Sequence, residues 1–247
     1  MIVMKSFVRL LEELLDKVIV VIFMFGLLFC VYCVVDDFSI LDKSSSRSLL
    51  RYKPEVNSDE EMGFKDLLGI NEDVIGWITI DDTNIDYPVV MSEDNKEYLN
   101  LDVFGGYSLG GTPFVDYRNK RDFSDDFTII YGHHMDMKIM FGGLDDFLDE
   151  EYLNKHKEGA LLTPDNVYKL NIISAGISQG FDEILFNPAS GYKGSKQELL
   201  NRINVVSKSR VLGSSFSASD RIIMLATCTS PESYNRILVF GSISEVE

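Results

Sequence analysis

Residues 221–240 read RIIMLATCTSPESYNRILVF. An apolar run leads to Cys228, Thr-Ser-Pro interrupts it, and a second apolar run opens at Arg236. Short apolar runs bounded by turn residues are the signature of strands. Paired as a hairpin, the end of the first run lies beside the start of the second. Cys228 and Arg236 would then share one rim of a sheet. A thiol at the exit of a strand, facing a loop, is placed for access, and a guanidinium beside it could hold a carbonyl or a developing oxyanion. Taken singly each has a plainer explanation, since free cysteines are often small buried hydrophobes and strand-start arginines are often solvated.

Working outward, the same strand-and-turn pattern fills the chain from residue 61 onward. Val74–Ile80 is rich in β-branched and aromatic residues, and residues 81–84 supply turn chemistry. Residues 85–91 resume the extended pattern around Pro88, which requires an edge or bulge position. Further strands are expected over residues 112–116, 127–131, 160–163, 167–178, 221–227 and 236–244. About eight short strands predict a mainly β fold, a closed or nearly closed antiparallel barrel. Two helices are expected, over residues 141–154 and 196–207, the second with Ser195 as its cap and set inside a long connection. Long connections in small domains usually carry function.

A thiol nucleophile needs a base or cation nearby, because its free pKa is about 8.5. The chain has 3 histidines and 3 cysteines. His156 lies in the charged stretch KHKEG and is expected on the surface. His133 and His134 follow the apolar strand TIIY and Gly132, the same layout as Cys228: an apolar strand, then a reactive group at its end. Cys30 and Cys33 fall inside an apolar run, so no disulfide framework or paired zinc motif can be built, and Cys228 is the thiol left for chemistry in water.

That run, residues 18–35, reads VIVVIFMFGLLFCVYCVV without a charge. Eighteen residues make about 27 Å of helix, close to the hydrocarbon thickness of a bilayer. It ends in Cys-Val-Val-Asp-Asp rather than the small residues of a signal-peptide cleavage site, which favours an uncleaved anchor. The expected organisation is residues 1–17 as an interfacial segment, 18–35 as a transmembrane anchor, 36–60 as a stalk and 61–247 as the folded domain. Basic residues flank the span on both sides, so charge alone does not orient it. The formal net charge of −16 argues against nucleic-acid partners.

The string MLATCT, with Arg236 eight residues beyond the cysteine, resembles the cysteine signature and following arginine of the sortases. YGHHM, DVIGWI, NIDYPVV, DNKEYLNLD and GTPFVDYRN resemble segments of class B members, and the resemblance runs from about residue 71 to 244. It implies an eight-stranded sortase-type β-barrel with an N-terminal helix and a helix in the long connection before the cysteine strand. It also implies a membrane-tethered catalytic domain outside a Gram-positive-type cell, acting by a thioester mechanism. Cys228 would attack a threonine carbonyl in a sorting motif. His133, which directly follows the glycine, would move the proton, and Arg236 would support substrate and oxyanion. Asn95, Leu99 and Thr227 would contribute to the substrate groove. The implied partners are secreted proteins bearing a C-terminal sorting motif and a peptidoglycan precursor or other amine acceptor, with no cofactor and no metal. Met224 and Ala226 depart from the signature without touching the thiol. A hydrolytic cysteine peptidase, a pilus-polymerising sortase and an idle binding module on the same scaffold are the alternatives.

Overall fold

In the computed structural model the described residues are 2–45, 47, 49–54, 62–191, 195–228 and 234–246. The chain divides into two units, Met1–Asp42 and Lys43–Glu247.

The first unit is carried by one helix, α1 (Ile2–Ser44), which continues unbroken through residues 36–44, the first part of the expected stalk. Within it the stretch Leu11–Asp42 is long and apolar enough to cross a membrane by length and composition, and none of it is buried in protein. Of the rest of the stalk, residues 46, 48 and 55–60 lie outside the described residues.

Among the described residues the second unit has a 3-10 turn at Leu50–Tyr52, then α2 (Met62–Ile70) and nine strands. These are β1 (Val74–Ile80), β2 (Asp86–Val90), β3 (Phe114–Val115), β4 (Phe127–Tyr131), β5 (Glu158–Leu162), β6 (Val167–Gln179), β7 (Ser207–Arg210), β8 (Arg221–Cys228) and β9 (Asn235–Glu245). Their order is β5-β1-β2-β3-β4-β8-β9-β6-β7, and an additional β5–β6 pairing closes the ring. Eight strands therefore form a closed barrel, and β7 hangs on β6 outside it. This is the mainly β, eight-stranded closed barrel that the sequence implied, but it is not wholly antiparallel: β2 pairs with β3, and β4 with β8, in parallel. Pro88 pairs with Trp77 of β1, whereas β3 joins β2 at Val90 alone, so the proline's missing N–H costs no ladder bond on that side.

Three apolar clusters explain why the strands curl. One fills the barrel, with Ile78 of β1, Ile130 of β4, Leu225 of β8 and Val239 of β9 at its centre. A second lies under α4 (Lys196–Val206), where Leu199 and Ile203 pack on Phe127, Met224 and Phe240. A third joins α2 to the outer side of β1 through Leu67 and Trp77. β4, β8 and β9 are thus buried on both faces, which is why they read as continuous apolar runs. Leu199 and Ile203 are fully buried; truncating either to Ala should cost about 2–5 kcal/mol.

Several local expectations need correction. Residues 141–154 do not form one helix: a 3-10 segment spans Gly142–Leu148, and α3 (Glu150–Lys155) begins only after Asp149, whose carboxylate caps it by accepting from the Tyr152 N–H. Ser195 starts α4 but makes no side-chain cap; its hydroxyl donates to the Ala189 carbonyl instead. His156 is buried rather than solvated, its ring packed at a tilt against Tyr152 with centroids 4.2 Å apart and its Nδ1 donating to the Asp81 carbonyl. The strand β7, with the sequence SKSR, has no apolar pattern to announce it.

Candidate active site

The rim of the barrel at the ends of β4 and β8 gathers the chemistry. These strands are parallel, with Tyr131 opposite Ala226. The Gly132 N–H continues the ladder by donating to the Ala226 carbonyl at 3.1 Å. His133 and Cys228 each lie two residues beyond that matched pair, so one rim receives both. On the other side β8 is antiparallel to β9, and Cys228 is directly opposite Arg236. Opposed residues in such a ladder have Cα atoms about 4.5–5.5 Å apart. The register therefore brings His133, Cys228 and Arg236 together from three neighbouring strands. The Cys228 backbone is described; its side chain and residues 229–233 lie outside the described residues.

A cleft of about 330 Å³ opens at this rim. His133, Arg236, Thr227, Asn95 and Leu99 all line it, five residues singled out by sequence. His133 is half-buried, and its Nε2 lies 2.7 Å from the Leu99 carbonyl oxygen. A carbonyl can only accept, so Nε2 carries the proton and Nδ1 is the basic nitrogen of the neutral ring. His134, by contrast, is not part of the cleft lining; its Nε2 donates to Asp145 at 2.9 Å.

Arg236 donates through Nη1 to the Asn235 carbonyl at 3.1 Å. Its guanidinium packs on Gly180, where an added Cβ would sit 3.3 Å from Cζ. The glycine thus leaves the guanidinium its room. Thr227 is buried, and its hydroxyl has no hydrogen-bond partner among the described residues.

One wall is organised by a residue to which sequence reading assigned no role. Asp116 is fully buried and accepts from Arg118 Nε at 2.8 Å and Nη2 at 2.7 Å, from Asn95 at 3.0 Å and from the Tyr131 hydroxyl at 3.0 Å. Burial is the largest influence and pushes the carboxyl up. The bonds from Arg118, Asn95 and Tyr131 outweigh it and hold Asp116 below the ordinary carboxylate range. Burial, then the Asp116 charge, push the Tyr131 phenol well above its ordinary value, so it remains a neutral donor. The Asn95 side-chain oxygen also accepts the Tyr117 N–H at 3.0 Å, which fixes both ends of that amide. Arg118 reaches across to the Phe186 carbonyl at 2.9 Å, and Phe186 stacks on Tyr131. The available signal was the D-Y-R triplet inside GTPFVDYRN, with an acid and an arginine two residues apart.

The arrangement offers a base on a parallel strand end, a cation across an antiparallel ladder from a cysteine, and an apolar cleft with a fixed amide. These are the parts that acyl transfer from a peptide requires.

No family model matches the chain. The chain is 32% identical over 193 residues to sortase B of Listeria monocytogenes, covering 76% of each chain. Among solved structures, a class B sortase of Streptococcus pyogenes involved in pilus biogenesis superposes with TM-score 0.68 at 41% identity, over 75% of this chain and 100% of that one. A Staphylococcus aureus sortase B–substrate complex superposes with TM-score 0.67 at 30% identity, over 75% of this chain and 86% of that one.

Proposed function

Because the chain belongs to the sortase B family, we propose that it is a membrane-anchored cysteine transpeptidase that cuts a C-terminal sorting motif after threonine. The observation that carries this reading is the parallel register ending at Tyr131 and Ala226, with His133 two residues past the one and Cys228 two past the other, and Arg236 opposite Cys228. In the reactive form the Cys228 thiol has given its proton to His133 Nδ1; the thiolate attacks the threonine carbonyl carbon, and the oxygen becomes an oxyanion that the Arg236 guanidinium stabilises. Collapse breaks the C–N bond; the leaving amine takes a proton from His133 Nδ1, and a thioester remains on Cys228. An acceptor amine then attacks the thioester and gives its proton to His133 as the thiolate departs, which restores the starting state. Throughout, Nε2 keeps its bond to Leu99, so the ring need not turn.

Asn95, Leu99 and Thr227 bind the sorting peptide. The Asn95 amide is pre-oriented by Asp116, and the Thr227 hydroxyl gains a partner in the peptide backbone. Residues 18–35 anchor the enzyme in the cell membrane with the barrel outside, where secreted proteins and the amine of a peptidoglycan precursor meet. The match to a pilus-associated class B sortase favours a second reading, in which the amine belongs to another protein subunit.

The test uses residues 43–247 with a library of quenched sorting-motif peptides, with and without an amine acceptor. Cleavage after threonine that vanishes in Cys228→Ala and is diverted to a ligated product by the amine is the expected result. Cleavage persisting in Cys228→Ala, or cleavage that added amine never diverts, would refute transpeptidation.

A further inference from the structure

The dipeptide His133-His134 is closed into a ring by the chain that follows it. The Phe141 N–H returns to donate to the His133 carbonyl at 2.9 Å, and His134 forms an antiparallel bridge with Met140. The Phe141 ring lies over Gly132, where an added Cβ would approach it to 2.6 Å. The intervening loop is strained: Met137, Lys138 and Met140 adopt φ of 57°, 59° and 52°. Non-glycine residues persist there only where their surroundings over-determine them.

What holds the loop comes from the next segment. Asp145 accepts from His134 Nε2 at 2.9 Å, and Asp146 pairs with Lys138. Their neighbours Leu144 and Phe147 are fully buried in the barrel core, so the arm that carries the carboxylates is fixed. The Tyr87 hydroxyl adds a bond from the Met140 N–H at 3.0 Å.

We propose that His134 and Asp145 act as a clamp that holds the strained loop shut and thereby fixes the backbone of His133 beside Cys228. They are positioning residues, not members of the proton path, and the proposal rests on the reading of His133 as the proton carrier. With the clamp open, the left-handed residues relax, Phe141 lifts from Gly132, and the imidazole loses its setting while the peptide groove on the Asn95 side is unaffected.

The test compares full-length protein in detergent, wild type against Asp145→Ala, His134→Leu, the double variant, the conservative Asp145→Asn and, as control, His133→Ala. The readouts are kcat and KM for a quenched sorting-motif peptide cleaved by wild type, and the alkylation rate of Cys228 by iodoacetamide, followed on its tryptic peptide. Each single variant should lower kcat about 5- to 20-fold, since displacement of a catalytic group by a fraction of an ångström has costs of this order. KM should stay within about 2-fold, and the double variant should be no worse than either single one. Asp145→Asn, which keeps an accepting oxygen, should recover most of the loss, and Cys228 alkylation should slow in step with kcat. An unchanged kcat and alkylation rate in the single variants, or losses that multiply in the double variant, would overturn the clamp while leaving His133 in place. Activity that survives His133→Ala would overturn the reading beneath it.

Discussion

The Nε2 atom of His133 donates to the backbone carbonyl of Leu99 at 2.7 Å. The bond is made to main chain, so no side-chain acid is needed to orient the ring, and it leaves Nδ1 for proton transfer. It also separates two roles that a histidine can play.

Glutamine in place of His133 can keep the Leu99 bond, because its amide nitrogen falls near the Nε2 position, but it cannot carry a proton. His133→Gln is therefore expected to melt close to wild type and to lose turnover by about 10²- to 10⁴-fold, the usual contribution of a general acid–base group. Calorimetry and peptide cleavage measured on the same preparation check both halves.

Arg236 opposes Cys228 in the β8–β9 ladder and packs on Gly180. Lysine keeps the charge but not the planar fork, so Arg236→Lys should reduce kcat by about 10²-fold, as loss of one oxyanion donor does. A methyl group at residue 180 would press the guanidinium at 3.3 Å. Gly180→Ala should lower kcat/KM by about 3- to 10-fold through misplacement, and Gly180→Val by more. Steady-state kinetics on the three variants would show the order.

Asp116 is buried among its donors and holds its charge in the folded state. Its folded pKa is depressed, so the stability that it contributes is present above its unfolded pKa, near 3.9, and is lost as pH falls through the lower folded value. Asp116→Ala leaves the Tyr131 hydroxyl and the Asn95 amide without their acceptor, while the exposed Arg118 guanidinium is rehydrated, and should cost about 1–3 kcal/mol at pH 7. The gap to wild type should begin to narrow as pH falls below the unfolded value and go on narrowing through the lower folded one. Urea midpoints at pH 7 and pH 3 measure this. Because Asn95 leans on the same carboxylate, KM for the peptide should rise in this variant more than kcat falls.

The apolar part of α1 predicts a difference in partitioning. Full-length chain should sediment with membranes and resist carbonate extraction, whereas residues 43–247 should remain in the supernatant with the same kcat on a soluble peptide. A full-length chain released by carbonate would overturn the anchor.

Most of the barrel was legible because β1, β4, β6, β8 and β9 are apolar runs whose ends coincide with turn residues. The catalytic proposal was legible for a related reason: histidine and cysteine each follow such a run, and the arginine opens one. β7 was hidden because a polar edge strand leaves no pattern in hydrophobicity. The break at Asp149 was hidden because the spacing of Leu144, Phe147 and Leu148 suits a 3-10 turn as well as an α-helix. The Asp116 network escaped because a buried carboxylate is recognised by its donors, and Asn95 and Tyr131 lie 21 and 15 residues from it in the chain. Likewise, no side-chain pattern can reveal that the partner of His133 is the main chain of Leu99.

The strands that bring His133 and Cys228 to one rim are parallel, and their paired residues lie 95 positions apart in the chain, as with Tyr131 and Ala226. Such a pairing forms late, because the long loop between its partners must be closed first. Until it forms, the thiol has no base at its side and reacts like that of any unfolded peptide. A nascent or translocating chain is accordingly inert toward its own threonines and toward neighbouring polypeptides. On the proposed mechanism, assembly of the fold is itself the switch that arms the thiol.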